Sequence, residues 1–282
     1  FINSNITILT EKKYINIFSK FKFIDKIKID NRIKPSPLSA IGLIFWFAKN
    51  KFDWVFDLQT SKRTTLYYNL FTIFGNFKWN GIAKGCSHIH NDPKRTQMHT
   101  LDRHKQQLYV AGIKKIKSVN WNIFRESLEN ISISKKFAII IAGGAINRPN
   151  KRWSLDKFIK LAYYFKSKSI QSVFIGGKDE KAITHEKLPK KNFILNLVGK
   201  TSLDQLASIA RLADIIIGND TGPMHLVCVC SRTITKKIIL FGSESNPSLC
   251  APRAKNLNII KKDKINNITV NEIKILINKK KI

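Results

Sequence analysis

The chain has 282 residues, 43% of them apolar, enough for two modest domains or one large one, each with its own core. No stretch reaches the roughly 18 uninterrupted apolar residues of a bilayer-spanning helix, and the opening FINSNITILTEKKY lacks the basic-then-apolar design of a signal peptide, so a cytoplasmic protein is expected. Lysine and arginine total 50 against 19 acids, a formal charge of +31. That excess attracts polyanions such as nucleic acid, anionic lipid or a phosphorylated substrate, but the lysines run along the whole chain beside abundant Ile and Asn, as a lysine-biased coding composition would also leave them.

In chain order, NITILT (5–10) reads as a short strand, EKKYINIFSKF (11–21) as a helix and KIKID (26–30) as a second strand. SPLSAIGLIFWFAKN (36–50) carries apolar residues at helical intervals, and FDWVFDL (52–58) reads as a buried strand. A polar stretch, SHIHNDPKRTQMHT (87–100), predicts a surface loop, followed by a helix over LDRHKQQLYVAGI (101–113). After WNIFRESLENISISKK (121–136) the pattern restarts with FAIIIAGG (137–144), too apolar for an edge strand, and the domain boundary is drawn between residues 130 and 131. The second half predicts a helix over 154–166, strands over 172–177 and 193–199, a helix over 202–213, a strand over 214–218, a helix over 223–230 and a strand over 236–242. Strand and helix alternate throughout, which is the signature of parallel sheets covered on both faces. The expected fold class is α/β, with domains over 1–130 and 131–282 and a cleft between them. Ligands in such sheets bind beyond the carboxyl ends of the strands, so the loops after residues 142, 175, 217 and 240 are the places to look.

Of these loops, the one in IIIGNDTGPMHL (215–226) is the most informative. Asn219 and Asp220 turn the chain, and Thr221 or Gly222 caps a helix whose first residue is Pro223, where a missing N–H does no harm. The free amides of that helix start suit an anion, and Gly222 lets a phosphate approach the backbone. Asp220 has two readings at this point: a plain N-cap, or an acceptor for hydroxyls beside the phosphate, such as those of a sugar. His225 stands in the helix's first turn beside the same place. A second loop follows Gly143 and Gly144, with Arg148 and Lys151 supplying charge, Ser154 as a helix cap and Asp156 in the first turn; Trp153 reads as packing. A cation just before a helix start suits a phosphate whose charge grows as it leaves. A third loop, FIGGKDEK (174–181), ends a strand on paired glycines, and Glu180, ahead of Asp179, is the candidate to take ribose hydroxyls.

The four cysteines, Cys86, Cys228, Cys230 and Cys250, have no zinc-site spacing and read as reduced core thiols. His88, His90, His99 and His104 cluster in sequence without the i, i+4 pairing of a helical metal site, and read as surface-loop histidines. There is no serine in a nucleophile elbow and no GxxxxGK[ST] loop, which argues against hydrolase and ATPase readings.

The loops together resemble glycosyltransferase family nine, the ADP-heptose:lipopolysaccharide heptosyltransferases. FDWVFDLQTSKRT resembles a first-domain strand with D-x-Q and the basic residues after it, and DRHKQQLYVAGI a helix of the same domain. GGAINRPNKRWSLDKFIKLAYYF resembles the family's P-G-A-S…K-R-W-P segment, and VFIGGKDEK its nucleotide loop. LVGKTSLDQLASIARLADIIIGNDTGPMHL matches the most diagnostic stretch, with G-K-T-S-L and D-T-G-P-M-H-L at family spacing.

The resemblance implies the GT-B architecture of two Rossmann-like domains and an inverting, metal-independent transfer from a nucleotide sugar, ADP-heptose, with no cofactor. Carried over, Lys151 and Asp220 are the catalytic pair, Lys151 on donor phosphate and Asp220 on donor sugar. Asn147, Glu180, Thr221, Gly222 and His225 bind the donor, Glu180 at the ribose and Thr221, Gly222 and His225 at the diphosphate. Lys62 and Arg63 face an acidic lipopolysaccharide core acceptor. The implied partners are the nucleotide sugar, that acceptor and the anionic inner leaflet of the membrane, with no specific nucleic acid. Several features depart from the family pattern. The family opens on a strand and a Gly-Asp loop thought to hold the general base, and this sequence starts at what resembles the second strand, so a first domain incomplete at its N-terminus is expected. Ile146 stands where the family has a hydroxyl residue, and CSRTITKKIILFG lacks the usual Gly and Pro. A protein of the same fold that binds donor or polyanion without turnover is the alternative expectation.

Overall fold

Residues 4–32, 37–144, 148–177 and 187–279 are described by a computed structural model, and every strand pairing among them is parallel. They divide into two units, Phe1–Ser118 and Val119–Ile282.

The first unit runs β1 (Thr7–Thr10), α1 (Ile15–Phe18), β2 (Lys26–Ile29), α2 (Pro37–Asn50), β3 (Trp54–Phe56), α3 (Lys62–Phe71), β4 (Lys78–Gly81), β5 (His88–Ile89) and α4 (Thr100–Val110). β1 pairs with β2, and β3, β4 and β5 form a three-stranded sheet in that order. Its core is aromatic: Phe47 of α2 stacks on Phe71 of α3 with centroids 3.9 Å apart, and Tyr67, Trp79, Leu43 and Cys86 are buried with them. The helix expected over 11–21 is broken. A 3₁₀ turn at Lys12–Tyr14 leads into the single turn of α1. The stretch expected as a surface loop, 87–100, contains β5 and a 3₁₀ turn, Arg95–Gln97. Helix α3 escapes the sequence reading because its polar start, KRTT, hides an apolar face. Ser61 caps it, its hydroxyl accepting from the Thr64 amide while the Thr64 hydroxyl accepts from the Ser61 amide.

The second unit runs β6 (Phe137–Ile141), α5 (Leu155–Lys166), β7 (Gln171–Phe174), β8 (Ile194–Asn196), α6 (Leu203–Leu212), β9 (Ile215–Asn219), α7 (Gly222–Cys230), β10 (Lys236–Phe241), α8 (Pro247–Cys250), β11 (Leu257–Lys261) and α9 (Val270–Asn278). One six-stranded sheet has the order β8-β7-β6-β9-β10-β11. The central strands FAIII and IIIGN are buried at every position, because a parallel strand under helices on both faces has no polar side. Helix α5 buries Phe158, Leu161, Ala162 and Phe165, spaced i, i+3, i+4, i+7, against Ile140, Ile217 and Leu240 of the sheet. Each such fully buried Ile, Leu or Phe contributes about 1.5–3 kcal/mol. Strand β11 and helix α9 lie beyond the elements that the sequence reading named; α9 closes the core with Ile273.

The division falls at Ser118/Val119 rather than between 130 and 131, and the hydrogen bonds give the reason. Residues 121–126 are strapped to α6: Arg211 donates from Nη1 to the Phe124 carbonyl (2.8 Å) and from Nη2 to that of Trp121 (2.6 Å). The Ser208 hydroxyl donates to the Glu126 carbonyl and accepts from the Glu126 amide, and Phe124 is buried. No periodicity marks such a segment, so the sequence alone assigns it to the wrong side. No helix among the described residues is long and apolar enough to cross a membrane.

Candidate functional site

The six-stranded order is that of a doubly wound sheet in which chain connections leave the central pair, β6 and β9, in opposite directions. Beyond the carboxyl ends of those two strands the loops diverge and leave a crevice. Three of the four loops singled out in the sequence, those after β6, β9 and β10, meet there.

Packing brings them close. A Cβ on Gly218 would lie 2.6 Å from both the Cβ and the carbonyl oxygen of Ile141, so glycine alone lets β9 press this tightly on β6. A Cβ on Gly242, just past β10, would lie 2.9 Å from the carbonyl oxygen of Asn150, in the 3₁₀ turn Pro149–Lys151. Gly144 similarly makes room for the Arg152 side chain, whose Cγ would be 3.0 Å from an added Cβ.

At the end of β9 the helix cap is Thr221. Its backbone is extended and its hydroxyl accepts from the Met224 amide, while α7 begins at Gly222 with Pro223 in its first turn. Of the two readings open for Asp220, the N-cap is therefore excluded. Its carboxylate instead joins an ammonium and an imidazole: Lys151 Nζ lies 3.3 Å from Oδ2, and His225 Nε2 lies 3.1 Å from Oδ1. The Asp220 side chain is 10% exposed, Lys151 16% and His225 38%, so the acid sits innermost. Burial pushes the Asp220 carboxyl pKa up, but the hydrogen bond from His225, the nearby Ser245 hydroxyl and the Lys151 charge outweigh it, and the net shift is downward. Ser245 Oγ is buried and has no well-formed hydrogen bond of its own. An added Cβ on Gly222 would meet nothing within 4 Å, so the helix start is open to a ligand.

Lys151, Asp220, Thr221, Gly222 and His225 thus come together. Asn147 and Glu180, with Asp179 and Ile146, lie outside the described residues. Ser154 occupies the N-cap position of α5 without a side-chain cap; its amide donates to Asn266 Oδ1 (2.8 Å). Trp153 packs as expected, 1% exposed, its indole N–H donating to the Ile268 carbonyl (2.9 Å). Two residues at the site have places that the sequence reading did not give them. Asn219 is fully buried and ties the loops together, and Cys250, at the end of α8, is half-buried beside Asp220 and Lys151. Unlike Cys250, Cys86, Cys228 and Cys230 are the buried thiols anticipated; burial pushes Cys228 up to about 12 and Cys230 to about 11.

In the first unit Lys62 and Arg63 open α3, but they differ. Lys62 is exposed, whereas Arg63 is anchored, donating from Nη2 to Gln59 Oε1 (2.7 Å) with Nε 3.8 Å from Asp30 Oδ2. Asp57 ends the preceding strand region and accepts from the amides of Gln59 and Thr60, the latter at φ 49°, so this carboxylate holds a strained turn. Its burial outweighs those amides and raises its pKa. The histidine run is not a uniform surface loop. His90 is buried, accepting from Arg95 Nε at Nδ1 (3.1 Å) and bonded through Nε2 to Gln106 Oε1 (2.7 Å). Arg95 Nη2 and Arg103 Nε are buried without acceptors, and burial together with the Arg103 and Arg95 charges pulls His104 down. No spacing in the sequence signals this cluster.

The model of glycosyltransferase family 9 (heptosyltransferase) matches residues 90–279, two thirds of the sequence. The chain belongs to glycosyltransferase family 9. Within the family it is 33% identical over 96 residues to a lipooligosaccharide heptosyltransferase 2 of Campylobacter jejuni, a stretch covering 33% of this chain and 29% of that protein. The match therefore spans about a third of the curated relative's length. The fold is shared with the E. coli ADP-heptose LPS heptosyltransferase II structure, with a TM-score of 0.72 at 17% identity over 99% of this chain and 89% of that one. A family 9 glycosyltransferase of Veillonella parvula superposes with a TM-score of 0.73 at 19% identity, over 97% and 87%. Both are α/β folds of the kind anticipated, and the family 9 match includes all the described residues of the β6/β9 crevice.

Proposed function

We propose that this family 9 chain is a heptosyltransferase that moves a heptose from an ADP-activated donor to a lipopolysaccharide core acceptor. The observation that carries the reading is the Lys151–Asp220–His225 cluster at the open start of α7, over the strand ends of a doubly wound sheet. The α7 amides and Lys151 supply positive charge where a diphosphate would leave, and Asp220 supplies an acceptor for the hydroxyls of the sugar it carries. The acceptor hydroxyl attacks the anomeric carbon from the face opposite the diphosphate, the new C–O bond forming as the bond to the diphosphate breaks, so configuration inverts; the hydroxyl proton passes to a general base. Lys151 and the helix start take the place of a divalent cation. Lys62, with Arg63 and the Arg95–Arg103 cluster, meets the anionic acceptor. Two of the relatives named above, those of Campylobacter jejuni and E. coli, carry lipooligosaccharide or LPS in their names, and the excess of basic residues suits a protein working beside anionic lipid on the cytoplasmic side.

The test is ADP-dependent thermal stabilisation together with transfer from ADP-heptose in the presence of EDTA. ADP raises the melting temperature of the wild type and raises it less in Lys151→Ala, whose lost charge-assisted contact weakens ADP binding by roughly 10–100-fold. Transfer persists in EDTA. An ADP-independent melting temperature in the wild type overturns the donor reading, and transfer abolished by EDTA and restored by a divalent cation overturns metal independence.

A further inference from the structure

Asn219 is the last residue of β9 and has no exposed surface, and its side chain makes three hydrogen bonds to three different backbone groups. Nδ2 donates to the carbonyls of Ala142 (2.8 Å) and Gly143 (3.0 Å), and Oδ1 accepts from the amide of Trp153 (3.0 Å). The first two partners end the β6 segment; the third lies two residues after Lys151. Asn219 itself adjoins Asp220. One planar amide therefore spans the two strand ends that define the crevice and the turn that presents the lysine.

The chemistry admits few substitutes. The position demands two donors and one acceptor in a single short planar group, which a primary amide has and a carboxylate, an alkyl group or a hydroxyl lacks. The carbonyl dipoles of Ala142 and Gly143 are engaged by Asn219. Each would repel an anion if turned toward it, so the amide both fixes the loop and holds two partial negative charges away from a phosphate. The Lys151–Asp220 separation of 3.3 Å is a consequence of the same tie, since one partner follows Asn219 in the chain and the other is held through Trp153.

We propose that Asn219 is a positioning residue of the donor site, setting Lys151 against Asp220 and turning the Ala142 and Gly143 carbonyls away from the diphosphate. The inference rests on the reading of this crevice as the ADP site, and the experiment separates the two. ADP affinity is measured by calorimetry on the whole protein at pH 8 and pH 5.5 for the wild type, Asn219→Asp and Asn219→Leu, each variant normalised to the wild type at the same pH. At pH 8 an aspartate presents only acceptors to two carbonyl oxygens, and ADP binding falls roughly 100-fold. Burial and the facing carbonyls raise that carboxyl's pKa. As pH falls it takes up a proton, donates to one carbonyl while still accepting from Trp153, and regains at least tenfold of the loss. Asn219→Leu makes none of the three bonds and loses affinity at both pH values without recovery. Merely disturbed folding would not be repaired by acid in one variant and left unrepaired in the other. If Asn219→Asp does not fold at pH 8, Asn219→Ser, whose hydroxyl has a single donor for the two carbonyls, is read at that pH, with ADP affinity expected to fall roughly tenfold and unchanged affinity overturning the proposal. Wild-type affinity in Asn219→Asp at pH 8, or a loss that acid does not reverse, also overturns it while leaving the ADP site standing. Failure of the wild type to bind ADP at either pH refutes the site reading instead.

Discussion

At the scale of single residues the β6/β9 crevice is a competition for one carboxylate. Asp220 is nearly buried, and it stays ionised because His225 and Lys151 offset the burial that would otherwise raise its pKa. The spacing of IIIGNDTGPMHL foretold that an acid, a helix start and a histidine would adjoin, because all three lie within one strand-turn-helix unit. It did not foretell Lys151 as the counter-ion, 69 positions away in sequence. Cys250 gives a direct probe of the same place. Burial and the Asp220 charge raise its thiol pKa against a smaller opposing effect of Lys151, so it reacts slowly at neutral pH and faster as pH rises. The expected result is that maleimide labels Cys250 first among the four cysteines, since the other three are buried, and that saturating ADP slows the labelling at least several-fold. Labelling indifferent to ADP would place the nucleotide elsewhere.

At the scale of elements, the helices hold by their ends as much as by their faces. Helix α9 starts with a reciprocal cap: the Thr269 hydroxyl accepts from the Glu272 amide, and Glu272 Oε2 accepts from the Thr269 amide (2.7 Å) and from Lys262 Nζ (2.9 Å). Bonding to Lys262 and then to the Thr269 amide lowers Glu272 from the ordinary 4.5 to about 2, against a smaller opposing effect of burial. Because the folded value is depressed, this stabilisation is fully present above the unfolded value of 4.5 and is lost as pH falls through about 2. Glu272→Gln removes that part of the acid-side slope of stability in denaturant titrations between those pH values. Thr269→Ala costs about 1 kcal/mol at neutral pH, the usual worth of an N-cap. An acid slope unchanged in Glu272→Gln would show that the cap carries no charge-dependent stability. The sequence reading named no element here, and the lysine that sharpens the cap comes from just beyond β11, ten residues before Glu272.

At the scale of the whole molecule, the position of the boundary has consequences for folding. Residues 121–126 belong to the second unit because Phe124 is buried there and Arg211 and Ser208 hold the backbone. A fragment of residues 119–282 is expected to be more stable than one of 131–282 by a few kcal/mol. The shorter fragment exposes the Phe124 site, worth about 1.5–3 kcal/mol of apolar burial, and leaves α6 donors without partners. Urea midpoints of the two fragments measure this, and equal midpoints would return the boundary to residue 130. Arg211→Ala in the whole chain is expected to speed amide exchange over 121–126 while leaving the central strands β6 and β9 protected.

The sequence by itself determined that the fold is α/β and where most of the second unit's elements run, because apolar periodicity and strand-end glycines are local signals. It also pointed to the loops after β6 and β9 as the place to look, since strand, glycine and helix start lie within a dozen residues of each other. Only the tertiary structure decided which side chains meet. Sheet order brings β6 beside β9 across a stretch of chain with no local trace, and that adjacency pairs Lys151 with Asp220. It also buries Asn219 among three backbone partners, and packing in the first unit leaves Arg95 Nη2 and Arg103 Nε without acceptors. Hydrogen bonds and ion pairs act over a few ångströms, so a partner far away in sequence is set by packing and not by spacing.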